Sequence, residues 1–102
     1  MSGWIKLHRK LQASDLWLSE PFTRGQAWAD LMMLANHKPG FIRVRGRQID
    51  VDVGCVARAQ TTLSKRWQWS RGKVVRFLGE LEKDSRINVK TSHDLNLSLI
   101  HI

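Results

Sequence analysis

The chain has 102 residues, of which 42% are hydrophobic and 25% charged, a composition that fits one globular domain and excludes disordered and fibrous proteins. Seventeen Lys and Arg against nine Asp and Glu give a net charge of +8, so a polyanionic partner is expected, although a solvated basic surface is the alternative. Cys55 alone can form neither an internal disulfide nor a thiolate zinc site, and the histidines lack paired ligand spacing. We therefore expect no metal, no other cofactor and, without a long apolar run or leader, a cytoplasmic protein with no membrane contact.

The opening residues predict a helical segment packed on the core. Apolar side chains at Trp4, Leu7 and Leu11 suit a short amphipathic helix or an extended arm. Thr23 to Gln26 then has the form of a capping box, in which each side chain bonds the other residue's amide. A helix with an apolar stripe should follow and stop at Pro39 and Gly40. The stripe consists of Ala27, Trp28, Leu31, Met32, Leu34 and Ala35.

A β-hairpin is predicted next, because apolar and charged side chains alternate from Ile42 to Val53 about a glycine. With a four-residue turn over 45–48, Arg43 would face Asp50 across the strands and so have a structural role. The cations at the hairpin tip remain able to contact a phosphate; these are Arg45 and Arg47.

Two helices separated by a tight turn come after a short third strand at Cys55–Ala59. Thr61 or Thr62 can cap the first helix, and Ser70 can cap a second that runs to Lys83. In the second helix one arc is apolar, consisting of Val74, Phe77, Leu78 and Leu81. The opposite arc consists of Gly72, Lys73, Arg76, Gly79, Glu80 and Lys83. Its glycines favour a close approach of another molecule, or simply reflect a poorly optimised helix.

Residues 86–90 alternate as a strand, residues 91–94 form a turn, and a returning strand starts at Leu95. A helix pair followed by a basic hairpin predicts an α+β winged helix-turn-helix, here with an additional β-hairpin and an N-terminal helical segment. Such a domain places its second helix in the major groove of duplex DNA. No motif supplies a nucleophile, a base and an orienting group, so an enzyme is not expected.

The candidate DNA contacts follow from this geometry. Cations in the first turns of the second helix would meet bases or phosphates, its capped start would accept a phosphate, and cations of the preceding helix would hold the backbone. Arg71, nearer the apolar arc, has packing of its stem as an alternative, and Trp69 either packs the turn or stacks on a base. The candidates are Lys65, Arg66, Ser70, Arg71, Lys73, Arg76, Lys83 and Lys90.

Three blocks of sequence resemble the N-terminal winged-helix domain of phage and prophage replication proteins, the DnaD-like replisome organisers. They are Gly3–Leu11, Ala35–Lys38 and the run from Trp67 to Asp84. The resemblance covers about residues 3–95. It implies a protein that binds double-stranded DNA at a phage origin, self-associates through this domain and recruits helicase-loading partners through a further C-terminal region. It also implies a DNA-reading helix from Ser70 to Lys83 and a wing from Arg86 to about Ile100.

The last six residues, 97–102, correspond to a translation of CTG TCT CTT ATA CAC ATC, the transposon mosaic-end adapter of sequencing libraries. We expect the native domain to occupy residues 1–96 and the chain to continue differently beyond them; a natural apolar strand is the alternative. A phage or plasmid transcription regulator and a DNA-free interaction or oligomerisation module of a primosome are the competing functions, because winged helices serve all three.

Overall fold

The structure, a computed structural model, describes residues 9–92 and 97–102, and has a mixed α+β fold. The predicted contributions of Trp4 and Leu7, and the predicted wing residues from His93 to Asn96, lie outside the described residues. A 3₁₀ helix at Arg9–Ala13 comes first. The α-helices are α1 Asp15–Leu18, α2 Arg24–Leu34, α3 Gln60–Trp67 and α4 Arg71–Lys83. The strands are β1 Gly40–Val44, β2 Arg47–Val51, β3 Cys55–Arg58, β4 Asn88–Ser92 and β5 Leu97–His101.

The strands form two antiparallel sheets, one of β1 and β2 and one in the order β3-β5-β4. Side chains alternate across the larger sheet. Val56, paired with Ile100, lies on the face that packs against the helices. Ala57 and Leu97 lie on the other face, against Val51 of the hairpin. The three-stranded sheet is therefore enclosed between the helices on one side and the β1-β2 hairpin on the other.

The main core is built around aromatic side chains of the α3–α4 junction. Trp67 is fully buried, with its ring centroid 5.0 Å from that of Trp69 and 5.9 Å from that of Phe77. The indole nitrogen of Trp69 donates to the Phe22 carbonyl over 2.8 Å. Burial of an aromatic ring contributes strongly to stability when its polar atom is also bonded. Trp69 thus packs the turn between the helices.

The additional hairpin is confirmed, but its predicted register was wrong. Val44 pairs with Arg47, so the connection is a two-residue turn, and Arg43 faces Gln48 rather than Asp50. Arg45 and Gly46 both have positive φ, 51° and 78°, as a type I′ turn requires. This turn matches the twist of the paired strands better than the four-residue turn we had expected.

Two of the three predicted helix caps are present. The hydroxyls of Thr23 and Ser70 accept from the amides of Gln26 and Lys73. The Gln26 side chain does not complete the capping box; it donates to the Trp17 carbonyl instead. Capping of α3 by a threonine was also wrong, because α3 starts after Ala59 without a side-chain cap.

Two further departures concern α2 and the end of the chain. Met32, placed on the apolar stripe of α2, is 45% exposed, while Asp30 is fully buried. Residues 97–101 form the central strand of the larger sheet, with Ile100 fully buried. Whatever the origin of these codons, which stays a matter of prediction, this chain uses the residues they encode in its core.

Candidate nucleic-acid interface

Helix α4 is fixed at both ends and along one side. Its first turn is capped by Ser70, and its last turn closes with the Arg86 amide donating to the Leu81 carbonyl, with Ser85 left-handed at φ 61°. The predicted apolar arc is confirmed: its side chains pack into the main core. They are Val74, Phe77, Leu78 and Leu81. The opposite side of α4 must therefore face away from the core.

That opposite side exposes three cations, Lys73, Arg76 and Lys83, which we call the α4 basic face. A side chain at Gly79 would meet no atom within 4 Å, so the backbone there is open to approach. A Cβ at Gly72 would lie 3.3 Å from the Arg76 guanidinium. The face thus combines flexible cations with a stretch of helix that carries no bulk.

A shallow groove of about 220 Å³ runs along this face between α4 and the start of α2. Its lining includes Arg24, which sequence reasoning did not select. The Arg24 guanidinium pairs with the Glu80 carboxylate, so the acidic side chain of the face is balanced. The Lys73 ammonium lies 4.4 Å from the Trp69 ring centroid, a cation–π contact that holds the lysine at the start of α4. No local pattern marks Arg24, because only the packing of α2 brings it to α4.

Three more candidates lie at the end of α3 and the beginning of α4. Arg71 is exposed, and its guanidinium makes long contacts of 3.4 and 3.5 Å to the Gln60 side chain. Lys65 is exposed in the last turn of α3. Ser70 uses its oxygen as a cap and its hydroxyl proton is still able to donate to an anion. We refer to these exposed residues and the α4 basic face together as the cationic region.

Arg66 does not join this region. Its guanidinium forms a two-point contact with the fully buried Asp30 carboxylate, at 2.7 and 2.8 Å. A third bond reaches the Gln12 carbonyl over 3.2 Å. Asp30 also accepts hydrogen bonds from Gln12, Trp17 and Trp67. Arg66 is therefore a structural cation that ties α3 to α2 and to the N-terminal segment.

The electrostatics of this pair agree with its geometry. Burial by itself would raise the pKa of Asp30, but the hydrogen bond from Arg66, followed by those from the other donors, outweighs it. The pKa of Asp30 consequently lies below its ordinary value. The hydrogen bond that Arg66 donates to Asp30 raises the pKa of Arg66, against the opposing effect of burial. Both groups stay charged at neutral pH.

Lys90 is also separate from the α4 basic face. It pairs with Leu99 on β5, whose side chain lies on the sheet face that the hairpin covers. Its neighbours in a groove of about 540 Å³ include Asp50 and Asp52. Lys90 thus lies on the hairpin side of the sheet, in a groove that α4 also lines through Glu82.

Comparison with protein-family models, curated proteins and solved structures finds no match for this chain. Within residues 9–92 and 97–102, no helix has the length and apolar character required to cross a bilayer. In the same residues, no three His, Cys, Asp or Glu side chains are grouped where they could hold a metal ion. Among the described residues, the cationic region around α4 combines exposed cations with a surface groove.

Proposed function

We propose that this chain is a winged-helix domain that binds double-stranded DNA, with α4 as the helix that enters the major groove. The observation that carries the proposal is the α4 basic face: Lys73, Arg76 and Lys83 stand exposed on a helix whose other side is held by the core. A helix used in this way must offer cations to phosphates and base edges while its backbone comes close. The open surface at Gly79 suits such an approach.

The order of elements supports the winged-helix assignment. Three residues separate α3 from α4, as in a helix-turn-helix, and Gln68 ends α3 in the left-handed conformation that makes this short turn possible. Strands β4 and β5 follow α4 as an antiparallel pair, and β3 closes the sheet beside β5. On this proposal, β4 and β5 are the wing and β1 and β2 are an addition to the common fold.

A role in replication is proposed from sequence alone. It rests on the resemblance of Gly3–Leu11 and of the α3–α4 region to DnaD-like replisome organisers. On this view the DNA is a phage origin, and further replication proteins are partners of the protein to which this domain belongs.

The experiment is a salt titration of duplex binding by the wild type and by Lys73→Ala/Arg76→Ala. Each lysine or arginine on a phosphate contributes about 0.9 to the slope of log affinity against log salt. We expect a steep slope for the wild type and a slope flatter by about two for the double variant. Both residues are exposed, so the fold should be retained.

The matched control is Arg43→Ala/Arg47→Ala, which removes the same charge from the hairpin. If net charge alone governed binding, both double variants would lose the same slope. Equal slopes for all three proteins, or a loss confined to the hairpin variant, would contradict the docking of α4.

A further inference from the structure

Helix α4 exposes one large apolar side chain. Val75 is 46% exposed, whereas the other large apolar residues of this helix are buried in the main core. Val75 belongs to neither of the two hydrophobic clusters formed by the residues that the structure describes. Within that part of the chain, packing therefore gives no reason for a valine at this position.

Helix stability does not explain the valine either. Its branched side chain loses rotamer freedom in a helix, so lysine, arginine or glutamate would be the more favourable exposed residue. Exposed apolar residues are nevertheless common on proteins, so exposure alone does not define a site. What distinguishes Val75 is its position on α4 and the charges around it.

Val75 lies on the side of α4 that faces away from the core. Residues three and four positions apart are neighbours on a helix surface, which places Val75 between Gly72 and Gly79. A Cβ at Gly79 would meet no atom within 4 Å, so the surface next to the valine is open there. A ligand that lies along α4 can consequently come close enough to touch the valine methyl groups.

Cations border this position. Arg76 follows Val75 directly and is exposed, and its guanidinium reaches back over the first turn, 3.3 Å from the position of a Cβ at Gly72. Arg71, four residues before Val75, is also exposed. An apolar side chain bordered by cations fits a polyanion that also offers an apolar group. It fits the core of a protein–protein interface less well, because such cores are depleted in charge.

The two carboxylates of α4 already have partners. Glu80 pairs with the Arg24 guanidinium. Glu82 accepts a hydrogen bond from the Val89 amide over 2.9 Å. The side of α4 around the valine therefore keeps its positive charge.

We propose that Val75 reads thymine, through contact between its methyl groups and the C5 methyl of the base in the major groove. The inference rests on the docking of α4 proposed above and adds a base preference to it. Contacts with phosphates position a protein on DNA, whereas contacts with base edges carry sequence information. Thymine alone among the four bases presents a methyl group in the major groove, and apolar side chains are its usual contacts. A thymine beneath Val75 is therefore favoured over cytosine.

The test compares the binding of two fluorescein-labelled duplexes by anisotropy. Both have about 20 base pairs, or about two helical turns, of the same non-self-complementary A·T sequence, and deoxyuridine replaces every thymidine in one of them. The two duplexes have equal charge and equal base pairing, and they differ in the C5 methyl groups. The wild type should bind the uracil duplex about fourfold more weakly, the effect of losing one buried methyl contact.

The variant Val75→Ser removes the apolar contact and keeps a small side chain of similar helix propensity. It should bind the thymine duplex about fourfold more weakly than the wild type does, and bind both duplexes equally. Its slope of log affinity against log salt should equal that of the wild type, because no charge is lost. Val53→Ser is the matched control, since Val53 is 51% exposed and lies outside α4. The control should keep both the wild-type affinity and the preference for thymine.

Four results would overturn the proposal. The first is equal affinity of the wild type for the two duplexes. The second is a preference for thymine that Val75→Ser retains, which would come from the stiffness of the DNA or from another residue. The third is a change of sedimentation in Val75→Ser with unaltered affinity for both duplexes, which would make Val75 a contact between copies of the chain. The fourth is no duplex binding by the wild type, which would also remove the docking of α4.

The first three results are distinguishable from failure of the proposed function. In each of them the wild type still binds duplex DNA, and Lys73→Ala/Arg76→Ala still flattens its salt dependence. The base preference would then be wrong while the docking of α4 stands.

Discussion

Arg66 on α3 and Arg76 on α4 lie on two consecutive helices separated by three residues, yet the structure gives them opposite surroundings. Arg66 is bound to a buried carboxylate, Asp30, whereas Arg76 stands exposed beside an open groove. The same residue type thus serves cohesion in one helix and, on our proposal, recognition in the next. The difference comes from α2, which places the Asp30 carboxylate beside Arg66 and the Arg24 side chain in the groove beside Arg76.

This comparison shows that the position of a cation in a motif does not fix its role. A carboxylate buried without a partner would be costly, so Asp30 requires a cation or several donors. Arg66 meets that requirement together with two indoles and an amide. Arg76 is exposed and does not have to neutralise a buried carboxylate, so its charge remains available to a ligand.

The largest expected effect comes from removing the buried carboxylate. Asp30→Ala leaves the Arg66 guanidinium without its partner and three further donors unsatisfied, so the free energy of unfolding should fall by about 3–5 kcal/mol. Urea denaturation measures it. Asp52→Ala, which alters an exposed carboxylate, should stay within about 0.5 kcal/mol of the wild type. A small loss in Asp30→Ala would mean that the pair does not hold α2 and α3 together.

The second prediction is that removal of Arg66 and removal of Arg76 have opposite effects on stability and on DNA affinity. Arg66→Ala should lower the free energy of unfolding by about 2–4 kcal/mol, because Asp30 keeps only neutral donors, while duplex affinity of the folded protein stays nearly constant. Arg76→Ala should do the reverse, with a stability change within about 0.5 kcal/mol and a clear loss of affinity. Denaturation and anisotropy on both variants check this. Equal losses of duplex affinity in Arg66→Ala and Arg76→Ala would contradict this prediction and indicate that Arg66 contacts DNA.

Low pH should disrupt the Arg66–Asp30 ion pair by protonating Asp30. Because the pKa of Asp30 is lower in the folded than in the unfolded protein, its contribution is full above the unfolded value, about 3.9, and is lost as the pH falls through the folded value. The difference in free energy of unfolding between the wild type and Asp30→Asn should therefore shrink below about pH 4. Denaturation at a series of pH values tests it. A constant difference would indicate that Asp30 is not ionised in the fold.

The smallest expected effect is an increase in duplex affinity. Glu80→Gln removes the carboxylate of the groove and releases Arg24, so duplex affinity should rise by about two- to fivefold. Asp52→Asn, on the hairpin side of the sheet, removes the same charge and should change affinity less. An unchanged or lower affinity in Glu80→Gln would argue that DNA does not lie along this groove.

Much of the fold follows from local sequence. The apolar arc of α4, its Ser70 cap and the presence of a strand after α4 were correctly predicted, because they depend on residues close in the chain. The predicted turn at 91–94 was wrong at its start, since Thr91 and Ser92 belong to β4 and pair with β5. The hairpin register depends on whether Arg45 accepts a positive φ, for which its residue type gives no sign. The start of α3 at Gln60 was missed because the helix lacks a side-chain cap.

The candidate site was less predictable, since it depends on contacts distant in sequence. The one sequence signal was Asp30, whose place on the apolar side of α2 indicates that a cation or several donors must be buried beside it. Even with it, the partner could not be chosen from seventeen cations. Arg24 reaches α4 from 56 residues before Glu80, and only the packed structure shows that.

The most direct measurement follows the arginine side-chain NMR signals of the isotope-labelled protein during titration with a short duplex. We predict that the Arg76 signal and the amides of α4 shift, while the Arg66 signal stays in place because its guanidinium remains on Asp30. A shift of Arg66 with no change along α4 would contradict the account.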